Sequence, residues 1–125
     1  MKNSRVNKIL EGMAKEGLSQ MIITSPASIF YLTGKWIYPG ERMIALYINQ
    51  NGDHKLVINK LFPVYEDLGV EMIWYEDTEN PIDYLNRCIN KNEILGIDKD
   101  WPARFLIQLI NSNAAKGFVN GSPII

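Results

Sequence analysis

The sequence predicts a single three-layer α/β/α domain over residues 1–125, with a mixed sheet of about six strands between two helical layers. Three observations predict it. Short apolar runs alternate with stretches in which apolar residues recur every three or four positions. An Asn51-Gly52 pair sits between two β-rich runs, the strongest short signal for a hairpin. The composition, 46% apolar and 22% charged over 125 residues, suits a globular chain long enough to bury one core without staples.

Taken in order, Arg5 to Gly17 reads as a helix, because Val6, Ile9, Leu10, Met13 and Ala14 form one stripe and Gly17 suits a left-handed C-terminal cap. Met21-Ile22-Ile23 follows, an unbroken apolar run expected of a central strand covered on both faces. Ser25-Pro26 starts a short helix that runs to Gly34: the hydroxyl caps free amides, and proline at the first helical position gives up no hydrogen bond. Met43 to Ile48 and Lys55 to Asn59 flank Asn51-Gly52 and should pair antiparallel. A helical pattern returns between Leu61 and Leu68, with Gly69 ending it, and Val70 to Tyr75 is the fourth strand.

Asn80-Pro81 repeats the cap-plus-proline start, with Ile82, Leu85, Cys88 and Ile89 on one helix face, and Ile94 to Ile97 is a short buried strand. Trp101-Pro102 opens the last clear helix, apolar at Phe105, Leu106, Leu109 and Ile110, before Asn113. Phe118-Val119 is then an edge strand. The count is six strands and five helices, without internal repeats. Ser122-Pro123 is one more helix start, yet only Ile124 and Ile125 follow, so the chain reads as cut at a domain boundary.

Thirteen basic against fourteen acidic side chains leave a net charge of -1, too balanced for a field that gathers nucleic acid or an anionic membrane. Lys2, Arg5, Lys8, Glu11, Lys15 and Glu16 interrupt the N-terminus too often for a signal-peptide core or a spanning helix, so a cytoplasmic protein is expected. The single Cys88 makes no internal disulfide, which agrees with a reducing compartment. With one Cys and one His, His54, the chain cannot assemble the usual zinc ligand sets, and no metal site is expected within it.

Several chemical signals have simpler structural readings. Gly12 to Gly17 has the glycine spacing of a phosphate-binding loop, but Leu18 stands where the lysine belongs and the segment lies at a helix end. Ser25 follows a strand and precedes a helix without the glycines of a nucleophile elbow, so it is read as a cap. His54, next to Asp53, is read as a solvated turn residue. Asp98 and Asp100 follow a strand where paired carboxylates often bind metal. Asp100 is instead placed as the N-cap of the helix after Trp101-Pro102, and Asp98 is left without a role. Cys88 is a small core residue. Only Gly34 to Arg42, carrying Trp36, Tyr38 and Arg42, holds more recognition chemistry than a turn requires.

The helix beginning at Arg5, the strand Met21-Ile22-Ile23, and the run Thr24-Ser25-Pro26-Ala27-Ser28-Ile29-Phe30-Tyr31-Leu32-Thr33-Gly34 together resemble the N-terminal domain of creatinases and prolidases, whose loop there ends Tyr-Leu-Thr-Gly. Gly96-Ile97-Asp98 and Ser122-Pro123 extend the resemblance across the chain. One position departs: Ser28 stands where the family pattern has Asn, and a Ser makes only part of an Asn's local bonds.

The resemblance implies a ribonuclease H-like sheet and a parent protein with a C-terminal pita-bread domain, absent here. That domain would hold two divalent ions (Mn, Co or Zn) on Asp, His and Glu and hydrolyse Xaa-Pro bonds. It implies no catalytic residue in these 125 positions. By the same analogy the domain caps the cleft, limits substrate length and helps to form a homodimer, with Arg42, Tyr38 and Trp36 touching a proline-containing peptide. Two rivals share the architecture: a peptidase-like binding module without catalysis, as in a histone chaperone, and a creatinase-type amidinohydrolase.

Overall fold

The structure, a computed structural model, describes all 125 residues. Four α-helices, α1 (Asn3–Lys15), α2 (Pro26–Thr33), α3 (Pro81–Cys88) and α4 (Ala103–Asn111), cover a sheet of β1 (Gln20–Ile23), β2 (Ala45–Asn49), β3 (Lys55–Asn59), β4 (Glu71–Tyr75), β5 (Ile94–Ile97) and β6 (Gly117–Asn120). The strand order is β4-β3-β2-β1-β5-β6. β2 runs antiparallel to β1 and β3, while β1–β5, β3–β4 and β5–β6 are parallel. The mixed sheet and its helical layers match the predicted architecture.

Period-two alternation divides the core in two. Met21 and Ile23, Leu46 and Ile48, and Leu56 and Ile58 face α1 and α2, whereas Ile22, Ala45, Tyr47 and Val57 face α3 and α4. Because helices cover both faces, the central strands read as continuous apolar runs. α1 buries Val6, Ile9 and Met13, and Gly17 takes φ 68° at its end while the Leu18 amide returns to the Met13 carbonyl at 2.8 Å. Ser25 caps α2 by accepting the Ser28 amide at 3.1 Å, and Asn80 caps α3 by accepting the Ile82 amide at 3.1 Å. Gly96 is required by close approach, since a Cβ there would lie 2.6 Å from Leu18 Cδ2.

Four expectations are corrected. Residues 61–68 form turns and irregular chain, not a helix. Pro63 lies mid-segment and cannot donate, while the Asn59 side chain and carbonyl take the amides of Leu61 and Phe62. Phe62, Val64 and Leu68 still reach the α1/α2 core, so the apolar spacing reports burial rather than helix.

The strand placed at Met43 to Ile48 begins two residues later, because the Met43 carbonyl accepts the Tyr75 hydroxyl at 2.5 Å and the Ile44 carbonyl accepts Trp101 Nε1 at 3.2 Å instead of ladder partners. Asp100 does not cap α4, which begins at Ala103 with Pro102 at the N-cap position. The Asp100 carbonyl instead accepts the Thr24 hydroxyl at 2.6 Å. Ile124 and Ile125 are not bare: a 3-10 turn over Ser122–Ile124 lays both against the α1/α2 core, Ile124 beside Gly12.

Candidate functional site

The loop from Gly34 to Arg42 starts where α2 is forced to stop. Gly34 adopts φ 80°, its amide returns to the Phe30 carbonyl at 2.8 Å, and the Thr33 hydroxyl accepts the Lys35 amide at 3.1 Å. Burial then alternates along the loop: Ile37 is buried, and Trp36 and Tyr38 turn outward. Phe30, Trp36 and Tyr38 stack edge to face, with both successive centroid separations 5.8 Å and both interplanar angles 60°. These rings are 47%, 41% and 80% exposed.

The second half of the loop is tethered. The Arg42 amide closes a turn onto the Pro39 carbonyl at 3.0 Å, and the Arg104 guanidinium, stacked over Phe105, donates to the Glu41 carbonyl. Arg42 Nε and a terminal nitrogen form a fork onto the two Asp77 oxygens at 2.9 and 2.8 Å, and Asn59 donates to Asp77 Oδ1 at 2.8 Å. The fork from Arg42 holds the Asp77 carboxyl down at about 2, with Asn59 adding to the effect. Trp36 and Tyr38 are thus brought together, whereas Arg42 is held apart on the end of β4, stacked on neither ring.

Beside Arg42 lies a crevice of about 320 Å³ lined by Thr24, Pro26, Pro39, Arg42, Trp101 and Pro102. It opens at the carboxyl ends of β1 and β5, adjacent parallel strands whose following helices go to opposite faces of the sheet. Such switch points leave a crevice by construction, because nothing crosses the sheet end there. Sequence reasoning missed Asp77, Phe30 and the crevice wall. The Arg42–Asp77 pair spans 35 positions and has no local signature, while Trp101-Pro102 was absorbed into a helix start.

Nearby, Asp98 is 6% exposed; its Oδ2 accepts the amides of Thr24 at 3.3 Å and Ser25 at 3.1 Å, and its Oδ1 has no partner. Asp98 therefore docks β5 onto the first turn of α2. No three His, Cys, Asp or Glu side chains converge as metal ligands. The chain's own residues do not fit a dinuclear centre: Asp98 is committed to backbone amides, His54 accepts the Asn49 amide through Nδ1, and burial pushes the Cys88 thiol up. His54 is half-buried rather than a solvated turn residue, and burial lowers its pKa. No helix is long and apolar enough to cross a membrane.

Comparisons with known proteins agree with this architecture. Residues 5–125 match the family model of the Creatinase/Prolidase N-terminal domain. The chain is 36% identical over 92 residues to an uncharacterized peptidase of Staphylococcus haemolyticus, a match covering 70% of this chain and 26% of that protein. The chain thus spans about a quarter of that relative's length. Its fold overlays a prolidase from Thermococcus sibiricus with TM-score 0.84 at 21% identity, covering 100% of this chain and 36% of that one. It also overlays the creatinase/prolidase N-terminal domain of an X-Pro dipeptidase from Streptococcus pyogenes, with TM-score 0.77 at 21% identity, covering 94% of this chain and 93% of that one.

Proposed function

The chain belongs to the creatinase/prolidase N-terminal domain family, and from that premise we propose that it is the non-catalytic N-terminal domain of an Xaa-Pro dipeptidase or aminopeptidase. The domain caps the active site of a following catalytic domain, limits the length of peptide admitted and takes part in a homodimer. The parent protein, cytoplasmic in this reading, hydrolyses the Xaa-Pro bond with two divalent ions. No three His, Cys, Asp or Glu side chains of this chain come together to hold them.

One observation carries the reading: Trp36 and Tyr38 stand exposed on a loop fixed at both ends, stacked in series on Phe30 of α2. Exposed aromatic faces are costly to hydrate and suit apolar, rigid side chains such as a proline ring. A preorganised loop loses little conformational entropy when it closes over a ligand. Arg42, already forked onto a carboxylate, has the geometry to receive a peptide carboxylate in place of Asp77. The loop's roles are then to orient the peptide and to exclude water and longer chains.

The test compares this chain with its two-domain parent on Xaa-Pro dipeptides and tripeptides in the presence of a divalent metal. The chain alone should be inactive and the parent active. In the parent, Trp36→Ala and Tyr38→Ala should raise KM about tenfold or relax length selection, the loss expected of an aromatic contact at the substrate. Turnover by the isolated chain, or unchanged kinetics in both variants, would overturn the assignment. A parent inert to Xaa-Pro peptides points to a binding module, and one that hydrolyses creatine to an amidinohydrolase.

A further inference from the structure

A cleft of about 440 Å³ runs between α1, α2 and the 3-10 turn at Ser122–Ile124. Ile9, Ile124, Ile125 and the Tyr31 ring form its apolar part, and Arg5, Lys8 and Lys99 its charged part. No Asp or Glu lines it, and none of its three cations enters any of the protein's ion pairs, which all lie elsewhere. Arg5 is oriented but not neutralised: its guanidinium lies 4.7 Å over the Tyr31 ring and donates to the Tyr31 carbonyl at 2.7 Å. The opening turn of α2 contributes Ala27 and Ser28 to its wall.

In a chain of net charge -1 this is a local concentration of one sign over an apolar floor. Like charges gathered around one cleft repel, and the half-buried Ile124 and Ile125 keep apolar area at its rim, so the arrangement is balanced by an occupant that brings carboxylates and apolar area together. We propose that this cleft is the docking surface for an acidic face of the catalytic domain. The proposal rests on the functional reading above and names the surface and charge it requires. The unpaired positive charge of the lining supports it, as does the length of the relatives, of which this chain matches only 26% to 36%. Ile125, from which a longer chain would leave, itself lines the cleft.

The experiment uses the two-domain parent carrying Lys8→Glu and Lys99→Glu together, with Lys8→Gln and Lys99→Gln as the neutral pair and the isolated 125-residue chain as control. Cleavage by a protease between the domains should accelerate about tenfold or more in the reversed pair and less in the neutral pair, the behaviour of an interface held by complementary charge. A single thermal transition should split in two. Raising KCl from about 0.05 to 0.5 M should loosen the unaltered parent in the same direction, because exposed pairs are screened. The isolated chain should melt at the same temperature with or without the substitutions.

Docking insensitive to the reversed pair overturns the proposal. So does a reversed pair that dissociates a dimer of the isolated chain, which would make the cleft a contact between copies. Protection of the isolated chain by inorganic phosphate, lost in the reversed pair, would make it a small-anion site and also overturn it. A parent that turns over Xaa-Pro peptides but docks normally with the reversed pair sinks the cleft and leaves the functional reading standing. A parent that docks through the cleft without turnover does the opposite.

Discussion

Asp98 Oδ2 accepts the backbone amide of Ser25 at 3.1 Å, so the end of β5 is fastened to the start of α2 across 73 positions of sequence. The same oxygen takes the Thr24 amide at 3.3 Å, and the side chain is buried. Replacing Asp98 with Ala leaves two buried amides without an acceptor, each costing about 1–3 kcal/mol. The expected loss is about 2–4 kcal/mol, a drop in melting temperature on the order of 10 °C for a domain of this size. Asp98→Asn, which keeps one acceptor oxygen, should lose clearly less. Thermal and urea unfolding of the two variants checks both; equal melting temperatures would show that the contact is dispensable.

This contact shows what was legible in the sequence and what was not. Elements set by neighbours in sequence were readable: the stripe of α1, the Ser25 and Asn80 caps, the hairpin at Asn51-Gly52 and the doubly buried run Met21-Ile22-Ile23. Asp98 had no readable role because its partners lie on another strand's exit, and Arg42 was readable as a recognition residue but not as the partner of Asp77. The helix expected over 61–68 failed for a local reason. Apolar spacing of three and four also arises when an irregular segment lays Phe62, Val64 and Leu68 on a core, and Pro63 was the residue to weigh against it.

Asp77 titrates at about 2 because Arg42 and Asn59 hydrogen-bond its charged form. A depressed carboxylate contributes stability present above the unfolded value near 3.8 and lost as pH falls through the folded value. Since the pair is exposed, its effect should be seen in titration rather than in melting. Carboxyl NMR should find Asp77 titrating near pH 2 in the native chain and nearer 3.8 in Arg42→Ala. An Asp77 that titrates near 3.8 in both would mean that the fork does not persist in solution.

His54 works in the same direction at higher pH. Burial lowers its pKa below the ordinary 6.5, so the unfolded chain binds more protons in the window just below that value, and stability falls as pH drops through it. His54→Gln removes the titrating group and should flatten stability over that window. Urea midpoints measured between about pH 5 and 7 check it, and a slope equal in both proteins would assign the dependence to other groups.

Gly96 faces Leu18 and Met21 with no room for a side chain: an added Cβ would lie 2.6 Å from Leu18 Cδ2 and 3.3 Å from Met21 Cγ. Gly96→Ala should therefore destabilise by about 1–3 kcal/mol despite lowering the entropy of the unfolded chain. The paired variant Gly96→Ala with Leu18→Ala should recover part of the strain while adding the cost of lost burial, a non-additivity read from a double-mutant cycle. Strict additivity would place the strain elsewhere.

Ser28 and Asp98 meet through Ser25, whose amide binds Asp98 and whose hydroxyl donates to the Ser28 hydroxyl at 2.8 Å. Asp98 Oδ1, buried and unpartnered, is the one unsatisfied side-chain atom in this core, and a buried acceptor without a donor costs free energy. The family pattern that this sequence resembles has Asn at position 28, and an Asn carries two amide hydrogens on a side chain longer than that of Ser. Ser28→Asn should therefore supply the missing donor and stabilise the chain by about 1 kcal/mol, a rise of several degrees in melting temperature. The alternative outcome has a distinct cause: Ser28 is buried, and if the added atoms strain the first turn of α2 the variant melts lower. A cycle with Asp98→Asn separates the two, since a hydrogen bond to Oδ1 makes the gain depend on Asp98, whereas steric strain persists whichever residue stands there.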